Sequence, residues 1–425
     1  MSLRKGRLPR EVRPLAVLSV DLAVVGAGPA GLTAATGAAR RGLRTAVLDE
    51  HPEVGGRLMG QLHEERLPDG STAWWQGRET ATHLRREAVA AGVAMLTGVQ
   101  VWGLRPGWRL DVEGGGLAGV SARAVLLATG ACEKPLPVPG WTLPGVMTAG
   151  AAQVFTNRHR VRPGNRVLIC GVDPLSLTVS RELTLGGAVV VGMVLPPPGP
   201  LAGERAVPEK LIAGLSRMAH LAPSTLLRLA GQLFSGETGA RLGARLYPRR
   251  GVKVWGVPLG LRQSLVRIVG TAAVTGAVVT DVDAAGRPLP GTERELAVDC
   301  VVISGGLSPV VELAAAAGCS LIPSGLGGMV PLHGETLETE LAGLFLAGNI
   351  TGVEGARVAM AQGTVAGVSA SHYLGALADS PYRIELAAAQ KDLTAVRAKA
   401  AIQFYPHSAQ ARAQLATAWA GRSPT

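Results

Sequence analysis

The stretch VDLAVVGAGPAGLTAATGAARRGLRTAVLDEHPEVGGR, residues 20–57, decides the fold of this chain. A short apolar segment, LAVV, runs into three glycines spaced G-x-G-x-x-G, and an alanine-rich helix follows to about Arg41. A second apolar segment, RTAVL, ends on Asp49 and Glu50. The strand–turn–helix–strand order, more than the glycine spacing alone, predicts a nucleotide-binding βαβ unit.

Each residue of this first turn has a separate physical role. Gly26 permits the tight turn, Gly28 leaves the backbone bare for a diphosphate, and Gly31 lets the helix pack closely on the strand. Pro29 and Ala30 begin the helix, whose N-terminus carries partial positive charge. We therefore expect the phosphates of a dinucleotide to bind at this helix start.

Two acidic residues end the second strand of this unit. Asp49 follows the turn at the position where a carboxylate accepts the hydroxyls of an adenosine ribose, and Glu50 is the neighbouring candidate for the same role. A carboxylate here favours a free ribose over a 2′-phosphate, because two negative charges would repel.

Three further segments extend the expected cofactor site. GGR (55–57) follows the second strand, AVLLATG (124–130) is an apolar strand with a polar end, and GLFLAGNITGVEGA (343–356) is another. Each alone is compatible with an ordinary tight turn, but the four in this order favour one site. The additional candidate contacts are Gly55, Gly56, Arg57, Val101, Ala128, Thr129, Gly130, Gly348, Asn349, Gly355 and Ala356.

A second βαβ unit, NRVLICGVDPLSLTVSRELTLGGAVVVGMVL (165–195), has an altered turn. Asp173 replaces the second glycine and Ser176 the third, and the second strand runs into prolines at 196–198 with no acid for a ribose. Asp173 followed by Pro174 predicts a self-capped helix. A carboxylate 4 Å from a phosphate costs about 4 kcal/mol at an effective dielectric near 20. We therefore expect this unit to keep the fold but to bind NAD(P)H poorly, with a displaced cofactor pose as the alternative.

The predicted fold class is α/β, with two Rossmann-like dinucleotide-binding domains of the pyridine nucleotide-disulfide oxidoreductase type. The FAD-binding domain is discontinuous and the second domain is inserted into it. Short amphipathic helices within the second domain are compatible with a lid, a partner surface or plain packing. The expected segments are a basic arm (1–17), the first segment of the FAD-binding domain (18–148), the second domain (149–297) with a helical insertion (199–250), the second segment of the FAD-binding domain (298–378) and a helical tail (379–425).

Charge and cysteine content exclude several classes of protein. The formal net charge is +11, but the basic residues are scattered and not interleaved with aromatics, which argues against nucleic-acid binding. Docking to an acidic partner is the alternative explanation of the charge. No metal site is predicted in this chain, because no two of its four cysteines are spaced as Cys-x-x-Cys. Those cysteines are Cys132, Cys170, Cys300 and Cys319.

Neither a signal peptide nor a membrane span is predicted. The N-terminus is basic but lacks an apolar core with a cleavage site, and the long apolar run from Leu22 is explained by the glycine turn. We expect a cytoplasmic protein without a transmembrane segment. An association with the membrane surface through a complex is left open.

One longer segment, ATGACEKPLPVPGWTLPGVMTAGAAQ (128–153), is more specific than any glycine motif. It resembles the FAD-bearing α subunits of heteromeric dye-linked dehydrogenases for amines and amino acids. These include opine oxidase A, hydrogen cyanide synthase B, and proline and hydroxyproline dehydrogenase α subunits. DEHPEVGGR (49–57) and the segment 326–356 are similar too. The family has an aspartate where this chain has Asn349, whose amide can still bond a ribityl hydroxyl.

The resemblance implies an FAD-binding electron-transfer subunit of an opine, proline/hydroxyproline or sarcosine-like dehydrogenase, with a non-NAD acceptor. It implies a β subunit with its own substrate-oxidising flavin and a [2Fe–2S] centre only on a partner, such as a small iron–sulfur subunit. The altered second site would hold a second nucleotide or none. No catalytic residue is assigned, because a flavin supplies its own redox chemistry. Two alternatives remain: a stand-alone NAD(P)H-dependent FAD oxidoreductase, and a non-catalytic flavin-binding scaffold.

Overall fold

The computed structural model describes residues 16–66, 71–222, 224–405 and 407–422. Of the expected basic arm, residues 1–15 lie outside the described residues, whereas 16 and 17 already belong to the first strand. The helices are α1 (Pro29–Arg40), α2 (Gly77–Ala90), α3 (Ala149–Asn157), α4 (Pro174–Leu185), α5 (Pro208–Arg217), α6 (Thr225–Leu233), α7 (Gly236–Leu246), α8 (Glu312–Ala316), α9 (Ala356–Tyr373), α10 (Asp379–Ala398) and α11 (Ser408–Ala420).

The strands of the described residues alternate with these helices over most of the chain. They are β1 (Ala16–Val25), β2 (Thr45–Asp49), β3 (Leu62–Arg66), β4 (Thr72–Gln76), β5 (Ala94–Thr97), β6 (Val99–Arg105), β7 (Arg109–Gly114), β8 (Leu117–Leu127), β9 (Ala131–Glu133), β10 (Val146–Thr148), β11 (Arg166–Cys170), β12 (Val189–Leu195), β13 (Val252–Val254), β14 (Val257–Gly270), β15 (Val274–Asp281), β16 (Arg294–Ala297), β17 (Cys300–Ile303), β18 (Leu307–Pro309), β19 (Leu321–Ser324), β20 (Gly328–Pro331) and β21 (Leu344–Leu346).

The first sheet has the strand order β5-β2-β1-β8-β7-β6, with β21 also pairing β8. The strands β5, β2, β1, β8 and β21 run parallel, and they are apolar because both faces of the sheet are covered. Helices α1, α2, α9 and α10 bury one face, while β6, β7 and α8 cover the other. The carboxyl ends of β1, β2, β8 and β21 therefore meet at one edge.

Close packing of α1 depends on glycine. A Cβ added at Gly31 would lie 2.0 Å from the carbonyl oxygen of Gly26, so only glycine permits this approach of α1 to its own turn. Gly363 on α9 does the same on the outer side, where a Cβ would lie 2.3 Å from the Ala30 carbonyl oxygen. α1 is thus held between the sheet edge and α9.

The second sheet has the order β10-β17-β11-β12-β14-β15-β16, with β13 pairing β14. The expected boundaries at 148/149 and 297/298 differ slightly from the sheet membership. β10, before the first boundary, and β17, after the second, both lie in this sheet and pair with each other. The chain returns toward the first domain at β18, which pairs with β9. The fold class predicted from the sequence is confirmed: two α/β dinucleotide-type domains, the second inserted into the first.

Candidate functional site

A single cleft of about 2590 Å³ lies between the two sheets, and residues of both domains line it. All sequence-predicted contacts except Gly31 and Gly55 line this cleft. The lining residues from that set are Gly26, Gly28, Pro29, Ala30, Asp49, Glu50, Gly56, Arg57, Val101, Ala128, Thr129, Gly130, Gly348, Asn349, Gly355 and Ala356. Gly31 and Gly55 instead allow close packing behind the wall, where an added Cβ would clash with neighbouring atoms.

The first turn leaves the start of α1 bare. Gly26 has φ +107°, and a Cβ there would lie 2.4 Å from the Ala128 carbonyl oxygen. Gly28 precedes α1, no side chain caps this described helix, and nothing within 4 Å would meet a Cβ at Gly28. Gly56 approaches from the other side, its Cβ position 3.2 Å from the Gly28 Cα. The bare amides and the two facing glycines fit a dinucleotide diphosphate.

Asp49 is held in a defined orientation at the end of β2. Its Oδ2 accepts a hydrogen bond from the Ala27 amide at 2.6 Å, and its Oδ1 accepts one from the His51 amide at 2.9 Å. The Asp49 side chain is 12% exposed, whereas that of Glu50 is 61% exposed. Asp49 is therefore the fixed carboxylate of the pair, and Glu50 is free to reorient toward solvent.

Arg57 is anchored to the loop that follows β8. Its Nε and Nη2 donate to the Ala131 carbonyl oxygen at 3.0 and 2.7 Å. In the same loop the Thr129 hydroxyl donates to the Val310 carbonyl oxygen at 2.7 Å. These contacts hold the floor of the cleft, so the guanidinium positions this loop in addition to bringing positive charge near the bare turn.

A polar network, which the sequence motifs do not indicate, holds the loop at Asn349. The Gly348 amide donates to Gln362 Oε1 at 2.7 Å, and the Gln362 Nε2 donates to Glu354 Oε2 at 3.0 Å. Asn349 Oδ1 accepts a hydrogen bond from the Glu354 amide at 3.1 Å. The Asn349 carbonyl group is therefore engaged within its own loop.

Two arginines of the C-terminal helices neutralise Glu354. Arg397 Nη2 lies 2.8 Å from Glu354 Oε2, and Arg412 Nη1 lies 2.9 Å from Glu354 Oε1. The Glu354 side chain is 13% exposed, so both ion pairs are largely shielded from water. The tail, expected only to be helical, thus ties α10 and α11 to the cleft.

The second turn is occupied by its own side chains. Asp173 Oδ1 accepts from the Ser176 amide at 2.9 Å, and the Ser176 hydroxyl accepts from the Asp173 amide at 2.9 Å, so the two cap α4 reciprocally. Asp173 Oδ2 accepts from the Ser304 hydroxyl at 2.6 Å. The predicted cap is observed, and the amides free at α1 are engaged at α4.

Two further side chains close the entrance to the second turn. A Cβ at Gly306 would lie 1.9 Å from Arg205 Nη2, so the guanidinium packs directly on this glycine. The Tyr405 hydroxyl donates to the Leu307 carbonyl oxygen at 2.6 Å, and its ring joins a cluster with Leu175 at the start of α4. Burial raises the pKa of Tyr405, with Arg205 lowering it and Asp173 raising it, so these three groups lie together.

Cys132 is exposed and lines the cleft, its Sγ 3.7 Å from the Ser308 carbonyl oxygen. The other three cysteines are buried, and burial raises the pKa of the Cys170 thiol to about 12. Within the described ranges no three His, Cys, Asp or Glu side chains form a potential metal site. None of the described helices is long and apolar enough to cross a bilayer.

Glu182 is a buried acid at the junction of the domains that sequence reasoning missed. It is 2% exposed and accepts hydrogen bonds from Gln153 Nε2 at 3.1 Å and from the Leu62 amide at 3.2 Å. Burial raises its pKa to about 8, although the Gln153 and Leu62 bonds act in the opposite direction. The carboxyl group therefore joins β3 of the first domain to α3 and α4 of the second, and it is protonated at neutral pH.

Comparison with family models and known proteins places this architecture. A family described as Pyridine nucleotide-disulphide oxidoreductase matches residues 20–193, and one described as Glucose inhibited division protein A matches residues 330–377. These two matches cover the two separate stretches of the first domain, which carry the bare turn and the Asn349 loop. The fold and the site define an FAD-dependent oxidoreductase.

The A chain of opine oxidase from Agrobacterium tumefaciens (strain Ach5) is 30% identical over 396 residues, which cover 89% of this chain and 69% of the relative. The HcnB chain of hydrogen cyanide synthase from Pseudomonas aeruginosa is 28% identical, over 81% of this chain and 69% of the relative. The chain belongs to the family of the opine oxidase A subunits. The resemblance expected from residues 128–153 is thereby confirmed.

Among solved structures, the L-proline dehydrogenase from P. horikoshii superposes with a TM-score of 0.61 at 18% identity. The match covers 88% of this chain and 60% of the other, so this chain spans less than two thirds of that relative's length. At this identity the likeness is one of fold.

The buried Glu182 predicts a specific pH dependence of stability. Its pKa rises from an ordinary 4.5 to about 8, so between these pH values the folded protein keeps a proton that the unfolded chain has released. The free energy of unfolding therefore falls as pH rises through this window. We expect Glu182→Gln to remove that fall, so the stability difference between variant and wild type grows in favour of the variant.

Urea unfolding at pH 4.5 and pH 8 measures this difference. Glu79→Gln, at an exposed position in the first turn of α2, is the matched control and should show no such growth. A stability difference for Glu182→Gln that is constant across the window would contradict a raised pKa.

Proposed function

We propose that this chain is the FAD-binding electron-transfer subunit of a multi-subunit dehydrogenase for amines or amino acids, of the opine, proline/hydroxyproline or sarcosine kind. It passes electrons to an acceptor other than NAD. The observation that carries the proposal is the contrast between the two turns: α1 begins without a side-chain cap on an open glycine, whereas α4 begins on a carboxylate that caps it.

The first domain offers a complete set of contacts for FAD, which when bound supplies the electron-accepting and electron-donating chemistry. The amides at Gly28 and Gly56 face the space for the diphosphate. Asp49 presents a fixed carboxylate for the ribose, and its two backbone hydrogen bonds keep it there. At the other end, Asn349 and the amides at the start of α9 border the cleft where a flavin ring would lie.

The second turn supports a non-NAD acceptor on grounds of charge and space. The Asp173 carboxylate, which Ser304 and Ser176 hold in place, repels a phosphate at this helix start. Arg205 over Gly306 and Tyr405 beside Leu307 narrow the approach. A nicotinamide dinucleotide would have to displace both side chains.

The substrate is proposed to bind outside this chain. The A-chain relatives are named as components of larger oxidases, and this protein offers no acid–base constellation among the described residues of the cleft that would select an amine. We therefore assign substrate oxidation to a β subunit with its own flavin, and onward transfer to a small iron–sulfur subunit. The complex is cytoplasmic, with contact to the membrane surface.

A stand-alone NAD(P)H-dependent FAD oxidoreductase is the second candidate. The duplicated fold favours it, since both sheets border one cleft in which two dinucleotides could meet. The Asp173 cap and the Tyr405 contact oppose it.

Gly28→Val tests the flavin site without disturbing the fold. Gly28 has φ −73° and ψ −178°, which any residue adopts, and a Cβ there meets nothing within 4 Å. The larger side chain fills the diphosphate space, so we expect the purified variant to lose most of its flavin absorbance while its circular dichroism is unchanged. Gly199→Val, also at an open glycine, is the matched control and should retain flavin. A Gly28→Val protein with full FAD content would refute this placement.

Anaerobic mixing with NADH or NADPH tests the acceptor. We expect the flavin of the wild-type protein to remain oxidised, while dithionite bleaches it fully as a control. Asp173→Asn keeps the cap but removes the charge, so nucleotide affinity should rise, by up to several-hundredfold for about 4 kcal/mol of repulsion relieved. Isothermal titration calorimetry measures that rise. Rapid bleaching of the wild-type flavin by NADH would favour the stand-alone reductase instead.

Purification of the chain from its native source tests the proposed partners. We expect it to elute with a second flavoprotein and an iron-containing protein, and the complex to reduce an artificial dye when an amine or amino acid is added. Flavin and iron analysis of each separated chain locates the cofactors. Elution of an active monomer without partners would contradict the proposed complex.

A further inference from the structure

Helix α6 turns its apolar side to the solvent. Leu226, Leu229 and Leu233 are 76%, 58% and 75% exposed, and no residue of this helix is buried. Residues three, four and seven apart share one face of a helix, so the three leucines form a single outward stripe. Thr225 and Gln232, which are also exposed, bring no charge beside it. We call Leu226, Leu229 and Leu233 the leucine stripe.

The opposite side of α6 fixes this orientation. Arg228 Nε donates to the Ala222 carbonyl oxygen at 3.0 Å, and a Cβ at Gly231 would lie 2.3 Å from the Ala219 Cβ. Leu227 and Phe234 line the cleft on the same inner side. The helix is therefore a wall of the cleft with a second apolar face directed away from it, which packing within this chain does not require.

The surroundings of the leucine stripe are strongly basic. Residues 199–250 contain eight Arg and Lys against three Glu. Two of these glutamates are paired within the segment, Glu204 with Lys210 at 3.4 Å and Glu209 with Arg241 at 4.0 Å. Several exposed arginines have no carboxylate within 4 Å among the described residues, namely Arg217, Arg245, Arg249 and Arg250.

We propose that the leucine stripe and the surrounding arginines dock this protein on an anionic phospholipid surface. Exposed leucines on a helix insert at the acyl boundary, and unpaired arginines attract anionic headgroups, a combination typical of peripheral membrane proteins. A stable protein interface takes roughly 20–30 residues a side, whereas α6 has 9 residues. A lipid surface needs no shape complementarity, so the charge complementarity and the short stripe favour lipid over a second copy or a different protein.

Vesicle sedimentation of the full-length, flavin-loaded protein tests the proposal. We expect it to sediment with vesicles of equal phosphatidylcholine and phosphatidylglycerol, on the order of tenfold more tightly than with phosphatidylcholine alone, and to be released by salt. The triple variant Leu226→Gln/Leu229→Gln/Leu233→Gln should lose this binding. The double variant Leu185→Gln/Ile384→Gln is the matched control, because these apolar residues are 57% and 70% exposed elsewhere, and it should bind as the wild type does.

The charge component has its own variant. Arg245→Gln/Arg249→Gln/Arg250→Gln should weaken binding to the anionic vesicles and reduce its salt dependence. All altered side chains are exposed, so flavin absorbance and circular dichroism should match the wild type and report the fold independently of lipid binding. These readouts also separate this proposal from the proposed redox function, since vesicle binding does not depend on which acceptor the flavin serves.

Two results would overturn the proposal. One is a wild-type protein that stays in solution with the anionic vesicles at low salt. The other is a wild-type dimer in size-exclusion chromatography that the leucine variant converts to a monomer, which would assign the stripe to a second copy of this chain.

Discussion

The bare start of α1 is the constraint on which the rest of the site depends. Backbone amides at a helix N-terminus need an acceptor, and Gly28 supplies no side chain to provide one. That absence is useful only if the turn stays open, and glycine at positions 26 and 31 keeps it open by letting α1 lie against β8 and its own turn. The first domain therefore presents donors and space, which a diphosphate satisfies together.

The same βαβ geometry at α4 has the opposite outcome. Asp173 and Ser176 satisfy each other's amides, and Ser304 holds the second carboxylate oxygen. A capped helix of this kind is stable without a ligand, typically by about 1 kcal/mol per cap. One fold thus supports a binding turn in the first domain and a structural turn in the second, and the difference lies in two side chains at the helix start.

The C-terminal helices connect these two regions. Arg397 and Arg412 hold Glu354 beside the Asn349 loop, and Tyr405, between α10 and α11, lies against the second turn. Glu354 would be a costly isolated charge at 13% exposure, and its two arginine partners offset that cost. The tail therefore contributes to both ends of the cleft, and its structural role is larger than its helical, alanine-rich sequence suggests.

The sequence by itself determined the α/β class, the two βαβ turns, the Asp173 cap and the family, because glycine spacing and capping are local and depend on neighbours in the chain. Only the tertiary structure decided what lies far apart in sequence. Arg57 meets Ala131, Glu182 meets Leu62, and Arg412 meets Glu354, contacts that no local pattern encodes. The outward stripe of α6 was likewise undecided, since periodicity shows that a helix has an apolar face but not whether that face meets the core or the solvent.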